Sequence, residues 1–308
     1  MFKKFMAKLG VGSAKIDFVL SKQQYELGGL VEGEFRIEGG AVEQEINKVG
    51  VDFNLKMNIK GKEFSHVVAH IPVSSSFMIH ANERKILPFT YQLPNNLLIS
   101  RGPISYSFIT RLDIAAGVDN LDQDYITILP PASFQQLVEA LGLLGFREKM
   151  DSGKFDGYSQ EFEFFPTTYF KSQLSELEFT VAIEEEGLRL LLELDLMTGF
   201  GLGEKELKRE IFFTNEELKD VQNLSSQLQS IIEEMIQNPQ QYPASMYNGH
   251  ASGGHHRRGG GLAGAMGGFA AGMLGGMLLD DLLFGDEETE AASGDEGFDF
   301  FGGDDDEF

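Results

Sequence analysis

The chain contains no cysteine and no tryptophan, and its 308 residues include only nine prolines. Without a thiol there is no disulfide, no thiolate zinc site and no cysteine nucleophile, and the composition suits the cytoplasm. Basic residues are scarce as well: 25 Lys and Arg stand against 48 Asp and Glu, for a formal charge of −23. So few cations cannot form a patch that neutralises a run of phosphates, which argues against nucleic acid as a partner. The opening run, MFKKFMAKLGVG, lacks the uninterrupted apolar stretch of a secretory signal, because Lys3, Lys4 and Lys8 break it. Catalytic signatures are missing too. There is no H-E-x-x-H, no G-x-S-x-G and no G-x-x-x-x-G-K-[ST]. The glycine-rich stretch Gly199–Gly203 has no lysine in place and reads as a hairpin loop. His66 and His70 lie on a valine-rich strand, roughly 13 Å apart at about 3.3 Å per residue, too far to share a metal. Carboxylate runs such as Glu184-Glu185-Glu186 have no D-x-D-x-D-G loop to fix Ca²⁺ ligands. The expectation is a protein without catalysis, cofactor or resident metal.

What is present in abundance is alternation. Val31, Gly33, Phe35 and Ile37 alternate with Glu32, Glu34, Arg36 and Glu38, and Val49 through Ile59 repeats the pattern. A period of two over such lengths places one strand face in a core and the other in water, the mark of antiparallel sheets. Similar runs recur at Ile16–Leu20, Phe64–Ile71, Phe77–His80, Ile86–Leu93, Ile104–Leu112 and Tyr125–Leu129, with Gly, Pro or Asn at most breaks. Many short strands at this spacing predict a β-sandwich over 13–129. Pro130-Pro131 is the natural domain boundary, since neither residue can donate a ladder hydrogen bond. Beyond it, Ser133 is a candidate N-cap for a short helix over 134–144, and renewed alternation through Leu188–Leu196 to Phe213 predicts a second sandwich over 130–213.

The strings GSAKIDFVLSKQQYELGGLVEGEF and GGAVEQEIN resemble the bacterial sporulation-control protein family, and so do LPFTYQLP, SFITRLDIA and DYITILPP. LGFREK, QEFEFFPT, LSELEF and LELDL resemble that family's carboxy-terminal half. The resemblance implies an all-β fold of two arrestin-like antiparallel sandwiches in tandem. It also implies a regulatory scaffold or adaptor working by protein–protein interaction, with partners linked to cell division or the envelope. Its location would be the cytoplasm, peripheral to the inner membrane. An envelope-associated structural assembly is a second reading, and a carbohydrate-binding sandwich a weaker third, since the chain has no tryptophan to stack on sugars.

Three further segments flank the sandwiches. Residues 1–12 read as a short basic amphipathic helix carrying Lys3, Lys4 and Lys8, packed on the domain edge or held at a membrane surface. Thr214 and Glu217 form a capping box that opens one helix over 214–237. On it Leu218, Val221, Leu224, Leu228, Ile231 and Met235 form a stripe, which either packs on the second sandwich or meets a partner or second copy. After a flexible linker over 238–261, the apolar segment 262–284 repeats glycine every four residues at Gly264, Gly268, Gly272 and Gly276. On a helix that spacing makes a groove for close helix approach and self-association, although nine glycines between 259 and 276 disfavour a membrane span. The acidic tail, 285–308, reads as disordered. From Asp280 onward there are thirteen acids and no base, an arm that could clasp Lys3, Lys4, Lys8 and Lys15.

Overall fold

In the computed structural model, residues 12–59, 61–115, 117–155, 159–197 and 205–244 are described. Two sheets make the amino-terminal unit. The first runs in the order β1 (Lys15–Leu20), β3 (Leu30–Glu38), β7 (Arg84–Gln92). The second runs β2 (Gln24–Glu26), β9 (Asn120–Leu129), β8 (Ser105–Ile114), β4 (Gln44–Ile59), β5 (Lys62–Ser74), with β6 (Phe77–Ile79) also on β4. The pairings are antiparallel except the short parallel β2–β9 contact. Alternation explains the layering, because Ile16 and Phe18 of β1 and Val31, Phe35 and Ile37 of β3 face inward. Phe18 and Phe89 from the first sheet meet Phe108 from the second, with Phe18 stacked on Phe35 at 4.3 Å and edge-on to Phe108 at 5.7 Å. Rings in offset or edge contact add specificity to the burial of their area. At one side β9 reaches across the gap: Asn120 Oδ1 accepts from Ile16 N at 2.9 Å and Asp122 Oδ2 from Phe18 N at 2.7 Å. Those bonds serve donors on β1 that have no neighbouring strand.

Pro130 and Pro131 separate β9 from helix α1 (Ala132–Leu143), as the sequence predicts. The helix starts earlier than expected, with Pro131 rather than Ser133 at its N-cap and no side-chain cap. The ring already fixes Pro131 at φ −68°, and its missing N–H costs nothing at a helix entrance. At the other end Gly145 takes φ +83°, the left-handed turn that favours glycine after a helix.

The carboxy-terminal unit departs from expectation. Its strands β10 (Phe146–Glu148), β11 (Lys154–Phe155), β12 (Gln160–Pro166), β13 (Leu174–Ile183), β14 (Gly187–Leu196) and β15 (Lys205–Thr214) form one antiparallel sheet among the described residues. Helices, not a second sheet, supply the opposing layer. Phe134 of α1 lies on Phe162 at 4.7 Å and near Phe179 at 6.0 Å. Alternation on the strands fixes one buried face but leaves open what covers it, and the following amphipathic helices meet that need. The predicted single helix is also two. Thr214 caps α2 (Asn215–Lys219) with the reciprocal Thr214–Glu217 bonds the sequence predicts. Asp220 then breaks the path at ψ 89° and caps α3 (Val221–Gln237) by accepting from Asn223 N at 3.0 Å. Helix α3 packs along α1.

A buried glutamine bonds across the junction of the two units. Gln160, 0% exposed on β12, accepts from Ile99 N at 2.8 Å and donates to Ile99 O at 2.9 Å and Gly153 O at 2.8 Å. An Arg101–Glu148 pair at 3.5 Å lies beside it. Arg101 Cγ would stand 2.9 Å from a Cβ at Gly153.

Candidate functional site: the outer sheet faces

With the apolar faces turned inward, the surfaces left for contact are the outer faces of the two larger sheets and the edge strand β5. Each has its own chemistry.

The outer face of the carboxy-terminal sheet is a carboxylate field. Register places Glu163, Glu178, Glu193 and Lys208 in one row across β12, β13, β14 and β15. A neighbouring row holds Glu176, Asp195 and Glu206. Side chains directly opposite on adjacent strands interact, and like charges there are destabilising. Two lysines moderate the repulsion: Lys149 contacts Glu163 at 3.3 Å and also Glu176, and Lys208 contacts Glu193 at 2.7 Å. Glu178 has no such partner among the described residues. Burial, then Glu161, Glu193, Glu163 and Asp195, raise its carboxyl to about 7. In Glu193 burial raises the carboxyl and the Lys208 contact pulls against it. Oxygen atoms of Glu163, Glu176 and Glu178, and those of Glu193, Asp195 and Glu206, fall within 4.8 Å of one another in each set. Such sets have the donor chemistry of a hard cation. In both, a lysine ammonium already supplies the positive charge. At the far side Arg189 bridges Glu184 at 2.6 Å and Glu210 at 3.0 Å, and lies over the Phe212 ring at 4.9 Å.

The outer face of the larger amino-terminal sheet is different. Leu121, Gln123 and Tyr125 of β9 lie opposite Arg111, Ile109 and Ser107 of β8, which in turn lie opposite Gly50, Asp52 and Asn54 of β4. Leu121 and Tyr125 are 58% and 59% exposed, so this face carries apolar as well as cationic side chains. Its outer strand β5, thirteen residues long, has a partner on one side only, leaving the backbone donors and acceptors of alternate residues at an open edge. His70 Nδ1 donates to Asp52 Oδ1 at 2.7 Å, and His80 pairs with Glu43 at 2.8 Å. Among the described residues no histidine joins a metal-competent set. The edge of β15, by contrast, is covered: Leu207 bridges Pro243, and Lys208 N donates to Tyr242 O at 3.0 Å.

The helical stripe is buried by the chain itself. Leu218, Leu224, Leu228 and Met235 are buried, and Val221 and Ile231 are half-buried against the same core. Ile232, absent from the predicted stripe, is buried instead. These side chains hold the helical layer in place. Lys3, Lys4, Lys8, the glycine repeat Gly264, Gly268, Gly272 and Gly276, and the acidic tail lie outside the described residues. Among the described residues no helix is long and apolar enough to cross a membrane. Sequence reading missed the carboxylate rows, although E-x-E or E-x-D spacings at Glu161–Glu163, Glu176–Glu178 and Glu193–Asp195 on successive strands are their signal.

Comparison with known proteins adds an independent line. The family model described as "Spo0M: SpoOM protein" matches residues 2–198. The sporulation-control protein spo0M of Bacillus subtilis (strain 168) is 30% identical over 254 residues, which cover 76% of this chain and 98% of that protein. The crystal structure of Spo0M, sporulation control protein, from Bacillus subtilis superposes with a TM-score of 0.60 at 28% identity, covering 73% of this chain and 99% of that one.

Proposed function

The chain belongs to the Spo0M sporulation-control family, and from that premise we propose that it is a regulatory scaffold whose sheet faces and free edge are gripped by other proteins. Its role is non-catalytic and exercised through protein–protein interaction. The observation that carries this is the family match, which spans most of both folded units. The geometry is in keeping with it: the larger exposed features are flat sheet faces of opposite chemistry and a long unpaired edge strand. Such surfaces bind by strand addition and by patch complementarity.

In this reading the amino-terminal unit is an arrestin-like sandwich, supported by its two facing sheets and shared phenylalanine core. The carboxy-terminal unit is its tandem partner, with helices as the second layer. The partners are other proteins of the division or envelope machinery, met in the cytoplasm beside the inner membrane. Proximity labelling in the host tests this, comparing the natural chain with one carrying Leu121→Lys and Tyr125→Lys on the exposed face. The expected result is a defined partner set that the double variant loses while its unfolding midpoint is kept. An unchanged set would remove this face from the account.

A further inference from the structure

The edge strand β1 is held at its open side by side chains rather than by another strand. Asn120 of β9 accepts from Ile16 N at 2.9 Å and Asp122 from Phe18 N at 2.7 Å, a ladder with a two-residue step on both strands. Side chains two apart share a strand face, so Asp124 is the next rung. It does not continue the ladder. Its Oδ2 is screened from water and has no hydrogen-bond partner among the described residues. The carboxyl groups of Asp122 and Asp124 lie instead within hydrogen-bond reach of each other. Asparagine serves the first rung as acceptor, so the ladder does not by itself call for two successive carboxylates.

The surroundings offer the pair no other relief. On this face β8 presents Phe108 opposite Asp124 and Thr110 opposite Asp122. Thr110 is 0% exposed and its hydroxyl has no partner, so it does not serve the carboxylates. Arg111 and Asp113 alternate onto the other face of β8. On β2, Glu26 lies opposite Leu129 at the far end of β9, and Lys22 just before that strand sits over the Tyr25 ring at 4.8 Å. On β1 the charged residues are Lys15 and Asp17, and Asp17 adds its repulsion at Asp124. Two carboxylates this close in a screened place do not both stay charged, and a shared proton gives the orphaned oxygen its partner.

We propose that Asp122 and Asp124 hold one proton between them, a pH-sensitive clasp that keeps β1 against β9 and lets go when both become charged. Burial first, then Asp122 and Asp17, push the Asp124 carboxyl from 3.8 up to about 7. The sign follows: the clasp is complete below about 4 and is lost as pH rises through about 7. Separation of the two carboxylates draws Asp122 away from Phe18 N and frees the outer side of β1. The amino-terminal unit then has a second open edge, at the opposite side from β5, of the kind that accepts an added strand. What fills that edge rests on the scaffold reading, whereas the clasp stands without it.

Hydrogen–deuterium exchange of the full chain, read at single amides by NMR and corrected for the intrinsic pH dependence of exchange, tests the clasp. Protection at Ile16 and Phe18 should fall about tenfold or more between pH 5 and pH 8, while Phe108 and Phe179, on central strands, keep theirs. Asp124→Asn retains a donor for Asp122 without the charge. In that variant the fall should shrink to about twofold or less, with protection at pH 8 matching the natural chain at pH 5. Asp122→Asn removes the like charge while keeping an acceptor for Phe18 N, and should also show a smaller fall. A natural chain with no fall, a fall shared equally by Phe108 and Phe179, or the full fall retained in either variant would each overturn the proposal.

Discussion

Replacing Gln160 by alanine should destabilise the protein clearly, because that buried side chain hydrogen-bonds across the junction of the two units. It makes three hydrogen bonds, two of them to the N–H and C=O of Ile99, itself 1% exposed. A buried polar group left without a partner costs about 1–3 kcal/mol. The Ile99 donor and acceptor are both orphaned, and the Gly153 carbonyl loses one of its acceptances, so the expected total is about 3 kcal/mol. For chains of this size each kcal/mol moves the midpoint by about 2–4 °C, giving a fall of about 6–12 °C in differential scanning calorimetry. Gln160→Glu should cost at least as much, since a buried carboxylate still accepts from Ile99 N but turns an oxygen toward the carbonyls of Ile99 and Gly153. A drop below about 2 °C in Gln160→Ala would refute the reasoning, by showing that the junction does not rest on this side chain.

Glu178 gives a pH prediction with a definite sign. Its carboxyl is raised from 4.5 to about 7 in the fold, so the contribution favours the protonated form, is complete below about 4.5 and is lost as pH rises through about 7. Glu178→Gln should therefore match the natural chain near pH 4 and gain on it with rising pH, reaching about 1 kcal/mol near pH 8 after discounting for a half-exposed group. Chemical denaturation at both pH values reads this, and a gap of equal size at each would contradict it. Tyr25→Phe should leave stability unchanged or slightly higher, because the buried Tyr25 hydroxyl has no hydrogen-bond partner among the described residues. A loss of more than about 1 kcal/mol in urea unfolding would show a hidden partner. Thr214→Ala should cost about 1 kcal/mol and speed amide exchange in α2, since it removes the hydroxyl that accepts from Glu217 N and leaves the capping box only its Thr214 N–H to Glu217 arm. Unaltered exchange at Glu217 would count against the cap.

Much of this architecture was legible because alternation is a direct record of a two-faced strand. Phe18, Phe35 and Phe53 could be assigned to a core from the sequence, and Pro130-Pro131 marked the passage from β9 to α1. The covering layer of the second sheet was not legible. Leu188 to Leu194 announce a buried face, yet that face is satisfied equally well by a sheet or by helices. The break at Asp220 was hidden for a related reason: an apolar stripe continues in phase across a one-residue interruption, and only the carboxylate bound to Asn223 N reveals the restart. The surfaces were harder still. Glu163, Glu178 and Glu193 come from three strands and become neighbours only through register, as do Gly50 and Arg111. Gln160 gave no sign in one dimension, because its partner lies 61 residues away.

The most direct test of the scaffold account is hydrogen–deuterium exchange of the natural full-length chain, alone and bound to a partner recovered by proximity labelling. The account predicts new protection along β5 and on the exposed strands β8 and β9, with the buried faces and the Gln160 junction unchanged. Protection confined to α1 and α3, or turnover of a small molecule by the purified chain, would contradict it.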